Sequence, residues 1–545
     1  MMADAELIVH NGRVFRSGPR GGSAEVPATA VAIASGRILG IGDERQARAW
    51  AGPRTTLFDA GGGLVMPGFN DAHMHLRDGA ISLDRLDLFG VTTLDAVQEA
   101  IASYARSRPE EPWVAGRGWL YAAFPGGMPT REQLDAVVPD RPAYFECFDG
   151  HSGWSNSRAM EAAGITRDTP DPPDGRIVRD AVGRPTGALK EGAVQLVNAL
   201  VPAPSEGEMP NRFEDALRRA AALGITAVQD AWGRPEDLRV LRALAAAGRL
   251  PVRVRLALEM RPRLGRAGHE DRLLELEASR AEEPDTPYLR TGILKSFLDG
   301  VVEARTAYLL EPYPGTNAHG DPSWDDDELR EAVAVAHDRG WQVELHAIGD
   351  AAVRQALDSY EALGPGVAAA RRHRVEHIET LDAADLPRFA RLGVVASMQP
   401  MHAVPEASQI DIWTDTLRPE VAASGWRLRS LLDNGATLAL GSDWPVVPID
   451  PMIEIHAAVH RRTPEGEPEG GWLPAEGVSV ADALAAATWG SAYAEHAEAE
   501  RGHLSAGAMA DMIVLDRDLL DDAGGPIAET EVRLTVVGGQ VVHPA

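Results

Sequence analysis

Apolar, strand-like runs recur at residues 65–71, 143–149, 225–231, 253–259, 292–298, 341–346, 373–377, 394–399 and 437–442, separated by Ala-, Leu- and Arg-rich stretches with helical spacing. Strands that alternate with helices in this way point to an α/β chain built from βα units around a parallel sheet or barrel. A closed (β/α)8 barrel needs eight strands, so nine candidates leave at least one as an edge or accessory strand. The helices between them carry end signals. D-D-E-L-R-E-A-V-A-V-A-H-D-R-G opens with acids, which favour the positive end of a helix, and stops at Gly340.

Both ends of the chain read differently. E-L-I-V-H-N-G-R-V-F and A-V-A-I-A-S-G-R-I-L-G-I-G are short strands with Asn-Gly and Ser-Gly turn signals, and A-D-M-I-V-L-D and V-R-L-T-V-V-G-G-Q-V-V-H repeat the style near the carboxyl end. Such hairpins are marginal alone, so the two ends are expected to form one β-domain from residues 1–64 and 499–545, with the barrel over 65–498. Residues 150–220 are too long for an ordinary βα loop. Their D-T-P-D-P-P-D-G turn and the hairpin pattern after it predict a lid or substrate-binding insertion.

A length of 545 residues with 44% hydrophobic content supports a large core, and a net charge of −28 repels nucleic acid and anionic membrane surfaces. A small neutral or cationic substrate fits that charge better. Cys147 is the only cysteine, which excludes an internal disulfide; the start of the sequence lacks signal-peptide features, and no apolar run is long enough to span a bilayer. A cytoplasmic location is the expectation.

The chemistry begins at V-M-P-G-F-N-D-A-H-M-H-L, where His73 and His75 share one face of an extended strand and can converge on one point, such as a metal ion. With 16 histidines, a chance H-x-H is about an even bet, so the motif gains weight only from further ligands. Four later segments offer them. Lys295 sits within the apolar T-G-I-L-K-S-F-L-D-G, where an unpaired charge is costly; W-Q-V-E-L-H ends in His346, R-H-R-V-E-H in His377, and A-T-L-A-L-G-S-D in Asp443. Lys295 could instead pair with Asp299 or Glu303.

This order resembles the amidohydrolase superfamily of metal-dependent hydrolases. P-G-F-N-D-A-H-M-H-L, D-G-H-S-G-W-S-N-S-R-A-M, P-T-G-A-L-K-E, K-S-F-L-D-G, H-A-I-G-D, R-V-E-H-I-E, S-M-Q-P and G-S-D-W-P-V look like the branch of YtcJ-like enzymes and N-substituted formamide deformylases, over almost the whole chain. The resemblance implies a distorted (β/α)8 TIM barrel, a small β-sandwich built from both termini, and one or two divalent ions, most often zinc. Manganese, iron and cobalt suit the same ligands. By position, His73, His75 and Asp443 would hold the more buried metal, His346 and His377 the more exposed one, and Lys295 would bridge them as a carbamate formed with CO2. Asp443 would serve as general base and acid. A homodimer is a further implication of the family. Near the carboxyl end the family usually has a lysine where this chain has Ala508, in G-H-L-S-A-G-A-M-A-D.

Weaker candidates surround this set. His151 is a candidate catalytic donor to a substrate carbonyl or oxyanion, and Glu191 a candidate partner. Trp119, Trp154, Trp232 and Trp444 are candidates for an apolar pocket wall, with Arg305, Gln399 and His402 as further substrate contacts. The reading is a hydrolase of a non-peptide C–N bond, such as an N-substituted formamide or a cyclic amide. Two alternatives are an amino-heterocycle deaminase with one metal, for which Glu344 would need to reach the site, and a non-catalytic barrel that binds a partner.

Overall fold

A computed structural model describes residues 4–19, 28–282, 284–404, 406–521 and 526–544, so residues 1–3 and 20–27 of the amino-terminal β-segment lie outside the described residues. Eight strands pair side by side, all parallel, in chain order: β1 (Phe69–Met74), β2 (Ile225–Gly233), β3 (Arg253–Glu259), β4 (Leu289–Phe297), β5 (Gln342–Ala347), β6 (Arg374–His377), β7 (Val395–Met398) and β8 (Thr437–Leu440). The barrel closes between β8 and β1. Asp443 N donates to His73 O at 2.6 Å and His75 N to Trp444 O at 2.7 Å. The chains come this close because residue 441 is glycine; a Cβ there would collide with the His73 backbone nitrogen.

The helices behave as their end signals predict. Asp325 caps the helix Asp326–Asp338 by accepting from Asp327 N at 3.0 Å, and the chain leaves it through Gly340 at φ +88°. Leu329, Val333 and Ala336 of this helix join Val343 and Leu345 of β5 in the main core, where each fully buried aliphatic side chain contributes ~1.5–3 kcal/mol.

All nine sequence candidates are strands, and the structure identifies the one outside the barrel. Ala143–Cys147 belongs to a separate six-stranded sheet with Leu86–Asp87, Val114–Trp119, Ser152–Ser155, Gly175–Arg179 and Pro185–Glu191, all between β1 and β2 in sequence. Residues 150–220 therefore carry only the last three strands of this sheet, among them the expected hairpin. The 65–71 run also divides. Leu64–Pro67 ends in a terminal sheet and β1 starts after Gly68, whose Cβ would collide with the Thr226 side chain.

The two ends of the chain form two facing sheets. One holds Ala5–His10, Ala30–Ala34, Arg37–Gly42 and Ala51–Asp59; the other holds Arg13–Val14, Leu64–Pro67, Met512–Leu515, Val532–Val537 and Gln540–Pro544. Leu7, Val9, Val31 and Ile33 pack against Val65, Met512, Val514 and Val536 to make their shared core, and Ala508 is buried in it. The Ser35-Gly36 turn is a two-residue hairpin with both φ values positive, as its sequence predicts. Asn11-Gly12 is not a hairpin: Ala5–His10 and Arg13–Val14 lie in different sheets, and the turn carries the chain from one to the other. No helix among the described residues is long and apolar enough to cross a membrane.

Candidate metal centre

Parallel strands present their carboxyl ends at one mouth of a barrel, so residues far apart in sequence meet there. His73 lies in β1 and His75 just beyond it, Lys295 in β4, His346 in β5, His377 at the end of β6, and Asp443 three residues past β8. Asp443 Oδ1 is 3.0 Å from His75 Nε2 and 3.4 Å from His73 Nε2, while its Oδ2 faces His402 Nε2 at 3.4 Å and His377 Nδ1 at 3.9 Å. The His346 and His377 rings are centred 4.5 Å apart. One ligand atom from each of His73, His377 and Asp443 falls within 4.8 Å of the others. Backbone strain helps aim them: His377 and Asp443 adopt φ +75° and +58°, values that side chains disfavour and that concentrate at functional sites.

The protonation states suit a cation. Burial, reinforced by the Lys295 charge, lowers the His73 imidazole to about 4, and burial followed by neighbouring histidines takes His346 and His377 well below the ordinary range. Burial works to raise the Glu376 carboxyl, but Arg374 and then His73 hold it down at about 2. Glu376 Oε2 stands 2.6 Å from His73 Nδ1, so an ionised Glu376 keeps the proton on Nδ1 and leaves the Nε2 lone pair facing Asp443. His73 Nε2, His346 Nε2, His377 Nδ1 and Lys295 Nζ are all buried without a hydrogen-bond partner. Unpartnered His73 and His377 nitrogens facing Asp443, with His346 ring-to-ring beside His377 and its Nε2 3.8 Å from Asp299 Oδ1, are what a metal site needs, so the residues fit a divalent ion. Asp443 is held ionised: burial opposes its charge, but His73, His75 and His377 keep it well below the usual carboxylate range.

Lys295 pairs with neither sequence alternative. Asp299 accepts instead from the backbone amides of Ile348, Gly349 and Tyr308 at 2.8–3.0 Å, and Glu303 has no ion pair among the described residues. The Lys295 ammonium position is completely buried, 4.9 Å from the Phe297 ring centre, and burial lowers its pKa. Glu344 is buried with Oε2 3.5 Å from Arg374 and is not among the residues that line the cavity.

A cavity of about 450 Å³ opens over these residues, with His75, His346, His377, His402 and Asp443 in its wall. The separate sheet contributes His151 and Glu191. His151 Nδ1 is 2.8 Å from Glu191 Oε2, and Thr306 Oγ1 donates to Glu191 Oε1 at 2.5 Å. Burial disfavours the charged imidazole, yet Glu191 lifts His151 to about 9. Because this lies above the ordinary 6.5, the pair adds stability that is complete below about pH 6.5 and fades as pH rises through about 9. We expect proton NMR of the metal-free protein to place the His151 midpoint near 9 and Glu191→Gln to bring it below 7. A wild-type midpoint below 7 would contradict the pairing.

The remaining sequence candidates separate. Trp232 lines the cavity, and His402 faces Asp443 as above. Trp119 and Trp154 are packed inside the separate sheet, their indole N–H groups donating to Phe145 O and Thr130 O. Trp444 is buried against Gly79, Arg305 is exposed, and Gln399 is buried with both amide atoms unpartnered; none of the three is in the cavity wall. Sequence reasoning missed Arg374 and Glu376, although both stand in the quoted R-H-R-V-E-H with its alternating charges. It also missed Asp149 and Glu379 and offered Glu303 only as a partner for Lys295; all three are acids after strand ends whose meeting in one cavity wall no local pattern reveals.

The sequence model of the amidohydrolase family matches residues 56–543, and the chain belongs to that family. It is 32% identical to the YtcJ protein of Bacillus subtilis (strain 168) over 99% of both chains. It is 30% identical to the N-substituted formamide deformylase of Arthrobacter pascens, covering 98% of this chain and 97% of that one. Among solved structures, an uncharacterised metal-dependent hydrolase from Pyrococcus furiosus aligns with a TM-score of 0.70 at 28% identity, over 94% of this chain and all of the other. Family and fold together make this a metal-dependent hydrolase.

Proposed function

We propose that the chain hydrolyses a C–N bond of a non-peptide amide, of the N-substituted formamide type, with divalent metal, zinc by preference. The observation that carries this reading is the convergence of the unpartnered, buried His73 and His377 nitrogens on the ionised Asp443, with His346 packed beside His377, in a cavity that also holds a cationic His151. His73, His75, His346, His377 and Asp443 would hold the metal, with Lys295 joining them as a carbamate. Burial favours the neutral Lys295 amine, the form that can attack CO2. Bound there, a divalent cation supplies Lewis acidity and lowers the pKa of water.

The chain's own groups supply the rest. Asp443 takes the proton from the attacking water and passes it to the leaving amine nitrogen. His151 donates to the oxygen that gains charge as the carbonyl is attacked, and Glu191 keeps that proton in place. Phe297 and Trp232, whose rings meet edge-on at 5.0 Å, wall the site and limit water.

The test is metal content by elemental mass spectrometry on protein purified without chelators, alongside formate release from an N-alkylformamide. We expect about two equivalents per chain, falling to one or none in Lys295→Ala. About one equivalent in both proteins would favour a mononuclear mechanism, and none in either would restore the non-catalytic reading.

A further inference from the structure

The cavity wall is unevenly charged. Beyond the metal-site residues it presents Asp78, Glu146, Asp149, Glu191, Glu303 and Glu379, against Arg117 and His151 as the cations. His151 is engaged by Glu191, and Arg117 donates to the carbonyl oxygens of Pro445 and Phe148. Asp149 is held in place by the Tyr121 hydroxyl at 2.8 Å and the His151 amide at 2.8 Å, and Glu379 by the Trp413 indole N–H at 2.9 Å. Glu303 has no ion pair and no hydrogen bond to another residue among the described ones. Burial, then the Glu379 and Asp149 carboxylates, push the Glu303 carboxyl well up, and the more distant His151, already engaged by Glu191, offsets this only in part; His402 Nδ1 stands 3.9 Å from Glu379 Oε1.

The same chamber is built for a ligand on further grounds, because His346 and His377, both more than nine-tenths buried and with Nε2 and Nδ1 unpartnered, line it. The acidic corner itself is no metal site: the one convergent cluster of ligand atoms among the described residues is His73, His377 and Asp443. Phe148, Trp232 and Phe297 supply apolar and π surface for a carbon chain beside it.

We infer that this site selects a cationic organic substrate, an amide that carries a protonated amine or guanidinium seated against Glu303, Glu379 and Asp149. The bond that is cut rests on the hydrolase reading above; the cation seat does not. Carboxylates fixed by Tyr121 and Trp413 are preorganised, so the incoming charge gains charged hydrogen bonds without reorganising the wall.

Calorimetry on the metal-loaded enzyme with butylguanidinium and its neutral near-isostere butylurea tests the seat without turnover. We expect the cation to bind roughly tenfold or more tightly. Glu303→Gln, and separately Asp149→Asn, should erase most of that preference, with unfolding temperature and metal content showing that each variant is folded. Equal affinities in the wild type, or full preference in both folded variants, would overturn the inference. A parallel comparison of kcat/KM for N-(4-aminobutyl)formamide and N-pentylformamide separates the two readings. Turnover of neither, with butylguanidinium still preferred, defeats the hydrolase proposal alone; equal turnover of both, with no binding preference, defeats the cation seat alone.

Discussion

Asp443→Asn should cost at least roughly a thousandfold in kcat/KM for an N-alkylformamide while leaving the fold intact. This one carboxylate faces two histidines through Oδ1 and two through Oδ2, so the amide loses charge toward all four at once. Asparagine also cannot accept the proton of the attacking water. The fold survives because the anchoring contact is backbone, Asp443 N to His73 O, and does not depend on the side chain. Rates within tenfold of wild type at equal metal content would remove Asp443 from proton transfer.

Arg374→Met should lower unfolding stability by ~3–5 kcal/mol, because it strands a buried charge. The Arg374 guanidinium is fully buried and donates to Glu376, the Gln229 side chain, Ala72 O and Ser397 Oγ, tying β6 to β1, β2 and β7. Removing it leaves the Glu376 carboxylate without its main counter-charge and loosens the proton that orients His73. Arg374→Met with Glu376→Gln should recover part of the loss, since the second change removes the stranded charge and keeps an acceptor for His73 Nδ1. Urea unfolding of the three proteins checks this. A single-variant loss below ~1 kcal/mol would mean that the pair is dispensable.

Much of the candidate site is legible in the sequence as a set of local contrasts. Each of His73, Lys295, His346, His377 and Asp443 ends or interrupts an apolar run, and that local contrast is visible without knowing how strands pair. His151 and Glu191 carry the same kind of signal more weakly, and the 2.8 Å contact between them joins the residue just before the strand Ser152–Ser155 to the end of Pro185–Glu191 in the separate sheet. The tryptophans were harder. Trp119 and Trp154 are as large and apolar as Trp232, yet they fill the core of that sheet while Trp232 reaches the cavity from a barrel strand. Composition does not distinguish burial in a core from burial against a ligand.

Strand existence and the order of the candidate ligands were determined by the sequence alone, because apolar periodicity and residue type act within a few neighbouring positions. The tertiary structure decided which of nine strands stands outside the barrel, that Asn11-Gly12 passes between sheets rather than turning a hairpin, and that Glu376 holds His73 across 303 residues of chain. It also gathered Asp149, Glu303 and Glu379 into one cavity wall. Those outcomes depend on how strands far apart in the chain pair, through closure of the barrel and assembly of the other sheets, which no local segment encodes.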